Sequence, residues 1–96
     1  MGIRADTLEL RSELLRDALG ILEEDYALPL ELDDVARRVL TSRRQLQRIF
    51  TELHGCPFRT ALREVRMRNA VELLDRSELP VGDIARQVGY TQPTRR

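Results

Sequence analysis

Ninety-six residues with sixteen basic and sixteen acidic side chains, formal charge zero, describe one small domain, and that balance by itself argues against a generic nucleic-acid binder. A single cysteine, Cys56, excludes an internal disulfide, and no cysteine–histidine grouping offers a metal site. No apolar run approaches the ~18 residues of a membrane span, and "MGIRADTLEL" lacks the uninterrupted apolar stretch of a signal peptide, so a cytoplasmic protein is the expectation.

The zero net charge hides an asymmetry. Residues 1–34 hold three arginines against ten carboxylates, or −7; residues 35–96 hold thirteen against six, or +7. A basic half of this kind points to an anionic partner. All sixteen basic residues are arginine. The planar guanidinium suits phosphate and guanine edges, although a GC-biased genome gives the same usage.

Helical spacing runs through the chain, and no β-type alternation of useful length interrupts it. Leu15, Leu19, Leu22 and Tyr26 form one stripe of a first helix, which begins as early as Asp6 and ends near Ala27–Leu28, ahead of Pro29. "LELDDVARRVL" predicts a short second helix with Leu32, Val35, Ala36 and Val39 inward. Glu31, Asp33 and Asp34 favour the positive end of its dipole. After about three connecting residues, Ser42 and Gln45 stand at capping-box spacing for a third helix. A short helix, a tight turn and a capped second helix are the ingredients of a helix-turn-helix.

The third helix, from Arg43 to about His54, ends at Gly55, a common residue just past a helix C-terminus. Leu46, Ile49, Phe50 and Leu53 form its apolar side. Arg44, Gln47, Arg48 and Thr51 form one opposite stripe, and no acid interrupts it from Thr41 until Glu52. Pro57 suits the first turn of a long helix to Arg76, roughly 30 Å in length. Its buried candidates are Phe58, Ala61, Leu62, Val65, Ala70, Leu73 and Leu74. "VGDIARQVGY" then parallels "LDDVARRVLT" through a shared D-[IV]-A-R-x-V, and Pro93 would open a further helix. The fold expected is all-α: two helix-turn-helix subdomains joined by a long helix, the second incomplete. Residues 1–56 hold the first helix and first motif, 57–76 the linking helix and 77–96 the second motif.

In order, "SRRQLQRIF", "GCPFR", "RMRNAVELL" and "DIARQVGYTQP" resemble the DNA-binding domain of AraC-type transcription regulators, over about residues 15 to 94. Four such pieces in sequence are specific where any one is weak. The resemblance implies two recognition helices entering successive major-groove segments on one face of DNA. The ~30 Å linking helix is compatible with the ~34 Å of one duplex turn. It makes Ser42 the cap of the first recognition helix and gives Arg44, Gln47 and Arg48 to bases. Arginine can grip guanine, and glutamine adenine, through two bonds each. Arg43 and Thr51 fall to phosphates, which position without specifying; Thr94 is the exposed position carried over to the second helix. Arg66 matches the arginine of the linking helix, whose partner is either an acid between subdomains or a phosphate.

Two departures stand out. Leu40 occupies the place of the turn glycine, so this turn either avoids positive φ or carries strain. Arg96 stands where the second recognition helix has its first phenylalanine, so that helix is expected to be cut short.

Other features read more simply. His54 and Cys56 lack an orienting partner for nucleophilic chemistry, and a basic residue at a helix C-terminus is favourable on its own. Phe50, Phe58, Tyr26 and Tyr90 lie on or beside apolar stripes and read as core. "LEEDY" reads first as a solvated face; its alternative is a surface for a basic partner such as an RNA polymerase subunit. The function expected is sequence-specific binding of double-stranded DNA and transcription regulation. The alternative is a truncated helical interaction module with weak or no DNA binding. No enzyme activity, cofactor, membrane contact or effector-ligand site is expected.

Overall fold

The computed structural model describes residues 2–90, with side chains from Thr7 onward, as five α-helices and no strand among the described residues. Helix α1, Gly2–Asp25, begins four residues before Asp6, the earliest start expected from the spacing. It closes where Leu28 N–H turns back to Asp25 O at 2.9 Å, one residue before the proline that forbids helical backbone there. Ala18 and Leu22 are its fully buried positions, with Leu15 and Leu19 packed beside them.

Helix α2, Leu32–Arg38, has charge of the favourable sign at both ends: Asp33 and Asp34 in the first turn, Arg37 and Arg38 in the last. The Asp34 carboxylate also accepts from the Glu31 N–H at 3.1 Å, satisfying an amide just before the helix. Val35 and Ala36 are buried. The helix ends in a Schellman turn, with Leu40 N–H donating to Arg37 O (3.2 Å) and Thr41 N–H to Ala36 O (2.9 Å). This geometry needs the residue at position 40 in the left-handed region, and Leu40 is there at φ 63°. Of the two outcomes open at this turn, the chain takes the strained one.

Helix α3, Arg43–Ile49, does not run on as α-helix to His54. Phe50–His54 is a π-helical turn, closed by Gly55 N–H to Phe50 O at 2.9 Å, with Gly55 at φ 91°. Leu46, Ile49 and Phe50 are fully buried, and Leu53 only partly.

Helix α4, Phe58–Arg76, starts one residue after Pro57, which stands in extended conformation just before the first turn rather than in it. The Phe58 ring meets Phe50 edge-on at 5.7 Å. Phe58, Ala61, Leu62 and Val65 complete a core cluster with Ala18, Leu22, Val35, Ala36, Leu46 and Phe50. Leu74 is a correction: it is 53% exposed. Leu73 turns inward at this end of α4, and the next residue lies about 100° further round the helix.

Helix α5, Val81–Gln87, packs on α4 and buries Ile84 and, just beyond its end, Val88. It ends in the same turn as α2, with Gly89 N–H to Arg86 O (3.1 Å), Tyr90 N–H to Ala85 O (2.9 Å) and Gly89 at φ 108°. The second recognition helix, with Thr94, lies outside the described residues.

Arg66 ties the connection after α1 to the turn after α5. Its Nε donates to Tyr26 O at 2.7 Å and its Nη2 to Leu28 O at 2.9 Å, while the guanidinium lies 5.4 Å from the Tyr90 ring centroid. Among the described residues no acid partners it: the guanidinium serves two backbone carbonyls and an aromatic face.

Candidate nucleic-acid interface

The surface in question is the outer side of α3. Its orientation is fixed from below by Leu46, Ile49 and Phe50, all 0% exposed, and from its start by Ser42, whose Oγ accepts from Gln45 N–H at 3.0 Å. Ser42 has extended backbone, so α3 begins sharply at Arg43. Arg43, Arg44, Gln47, Arg48 and Thr51 are all exposed, on one side of a short, firmly seated helix.

Their side chains are not equivalent. Arg43 Nε pairs with Asp33 Oδ1 of α2 at 3.2 Å. Arg48 Nε stands 3.8 Å from Glu52 Oε2, in ion-pair range but beyond a hydrogen bond. Arg44 has no ion pair among the described residues, so its five donors are open to a ligand. Thr51 Oγ1 turns back to Gln47 O (3.2 Å) and Arg48 O (3.1 Å); in this rotamer its only proton is given to its own helix.

Glu52 closes the stripe. Arg11 of α1 donates to its Oε1 at 2.7 Å. That hydrogen bond, with the charges of Arg11 and Arg48 behind it and partial desolvation opposing, holds the Glu52 carboxyl below its ordinary pKa. Glu52 is therefore ionised and already partnered.

An open groove of about 440 Å³ runs beside α3, with Leu30, Arg43, Gln47, Phe58, Arg59 and Arg66 on its walls. It brings the side of α3 and the first turn of α4 together. Arg59 is the residue that sequence spacing missed: exposed, on the groove wall and without an ion pair among the described residues. Its only signal in the sequence was the absence of any acid between Gly55 and Arg63. No His/Cys/Asp/Glu grouping among the described residues could hold a metal, and none of their helices is long and apolar enough to cross a membrane.

Two short helices about a Schellman turn, the second capped and carrying an arginine-rich outer face, define a helix-turn-helix protein. A helix-turn-helix domain model matches residues 35–95, and the chain belongs to that family, as a DNA-binding domain of the AraC type found in transcription regulators. It is similar to an AraC-type regulator from Chromobacterium violaceum, at TM-score 0.80 and 30% identity, over 83% of this chain and 71% of that one. The C-terminal domain of the response regulator AraT from Geobacillus stearothermophilus superposes at TM-score 0.77 and 33% identity, over 80% and 64% of the two chains. In sequence it is 30% identical to the lactose operon transcription activator of Staphylococcus xylosus over 90% of this chain and 31% of that protein. It is 33% identical to the transcriptional regulator GlxA of Rhizobium meliloti over 96% and 28%. The chain thus spans about three-tenths of the length of these two relatives.

Proposed function

We propose that this chain binds double-stranded DNA in a sequence-specific way, laying α3 in the major groove, and that it supplies the DNA-reading part of transcription regulation. One observation carries this reading: a capped helix, held from beneath by three fully buried side chains, presents Arg44, without an ion pair among the described residues, at the start of a polar stripe that no acid interrupts before Glu52. A duplex offers what that stripe lacks, namely guanine and adenine edges for Arg44, Gln47 and Arg48. Arg43, already turned aside toward Asp33, and Arg59 on the far wall of the groove beside α3 would flank the helix and meet phosphates. Thr51 joins them only by leaving the rotamer it has here. The chemistry is binding, not catalysis.

The exposed acids of α1, among them Glu13, Asp17 and Glu24, suit a basic partner such as RNA polymerase on a surface separate from α3. A cytoplasmic setting follows from the DNA partner.

Selection of duplexes from a random pool tests the reading. The chain should recover a defined motif, and its affinity should fall with salt at a log–log slope near −0.9 per phosphate neutralised. Arg43→Ala should weaken all sequences alike, whereas Gln47→Ala should relax the preference at one base pair. Recovery of no motif, with a stable oligomer by size-exclusion chromatography, would favour an interaction module instead.

A further inference from the structure

Glu52 stands between two arginines of different kinds. Arg11 comes from α1, its side chain is 17% exposed, and it holds one carboxylate oxygen at 2.7 Å. Arg48 belongs to the outer stripe of α3, its side chain is 64% exposed, and it stands 3.8 Å from the other oxygen. The two compete for one carboxylate, and the inner one holds it.

Arg48 and Glu52 are four residues apart, the spacing at which helix side chains meet. With Arg11 in place, the carboxylate is neutralised from below and Arg48 is left without a hydrogen bond to it. Without Arg11, Glu52 would have Arg48 as its only cation nearby among the described residues, and the pair would close across the outer face of α3.

We propose that Arg11, on a helix that contributes no side chain to the outer stripe of α3, is a positioning residue for DNA binding: by holding the Glu52 carboxylate it leaves Arg48 available to the groove. This rests on the reading of α3 as the recognition helix. It makes the recognition surface sensitive to the seating of α1, because a displacement of α1 that withdraws Arg11 releases Glu52 onto Arg48.

Two readouts test it, one without DNA. In the free chain, Arg11→Gln should shift the Arg48 Nε–Hε resonance and slow its side-chain motion, and adding Glu52→Gln should reverse both. An Arg48 resonance that ignores Arg11→Gln overturns the inference whether or not the chain binds DNA. The second readout uses the duplex selected by the unmodified chain. Arg11→Gln should weaken binding by about two- to five-fold, the effect of one exposed ion pair. Arg11→Lys, which keeps the charge, should retain it. Glu52→Gln should strengthen binding more in the Arg11→Gln background than in the native one; equal effects in both would overturn the coupling, as a merely structural role for Arg11 predicts. If the unmodified chain selects no duplex, the reading of α3 fails, and the resonance decides the coupling alone.

Discussion

The turns after α2 and α5 are built alike and tolerate different residues. Each has the same pair of backbone hydrogen bonds, at 3.2 and 2.9 Å after α2 and 3.1 and 2.9 Å after α5. Each needs a left-handed residue, Leu40 at φ 63° in one and Gly89 at φ 108° in the other. Leu40 is 90% exposed, so its side chain leaves the fold without touching it. A Cβ at Gly89 would stand 2.8 Å from Arg66 Nε, 2.8 Å from Tyr26 O and 3.0 Å from Arg66 Cζ. At the first turn glycine answers a dihedral requirement alone, which an L residue meets for about 1–2 kcal/mol. At the second it answers a dihedral and a spatial requirement together. The dihedral demand is common to both turns; only the second adds a demand for space, and there the residue is glycine.

The difference between the two turns should be largest in Gly89→Ala. Backbone strain and the collision with Arg66 and the Tyr26 carbonyl should together destabilise the chain by about 3 kcal/mol, read by urea unfolding. A loss no greater than 1 kcal/mol would mean the two turns are equivalent after all. Next is Arg66→Ala, which removes both carbonyl hydrogen bonds and the cation over Tyr90. It should lose about 2 kcal/mol and free the Tyr26–Leu28 amides to exchange faster with solvent. Ser42→Ala, which leaves the Gln45 amide uncapped at the start of α3, should lose about 1 kcal/mol. Leu40→Gly has the opposite sign. Relief of the left-handed leucine, less the greater freedom of glycine in the unfolded chain, should stabilise by about 0.5–1 kcal/mol.

Much of the frame was legible in the sequence because it rests on periodicity and end signals. Leu46, Ile49 and Phe50 were spaced to lie beneath α3, Ser42 to begin it, and Val35 and Ala36 to fill the helix before it. What was not legible shares a physical cause. The π turn at Phe50–His54 adds one residue to a turn, which a hydrophobic stripe over so few residues does not record. The strain at Leu40 runs against residue type. The partners of Arg66 are backbone carbonyls, which every residue carries and no pattern marks. Arg11 and Glu52 are 41 residues apart and meet only because α1 packs on the π turn. The candidate site was readable as a stripe; the unequal commitments of its arginines were not, since they depend on Asp33 and Glu52 as the fold places them.

In the proposed complex α3 reads bases, and Arg44, without an ion pair among the described residues, is its most available reader. The direct measurement is the affinity of the chain and of Arg44→Ala for the selected duplex and for its full set of single-base substitutions, at one fixed salt concentration. The native chain should discriminate by about 1–3 kcal/mol at the base pair Arg44 contacts, and Arg44→Ala should flatten that position while leaving the rest of the profile in place. An unchanged profile in Arg44→Ala, at every position, would contradict the account.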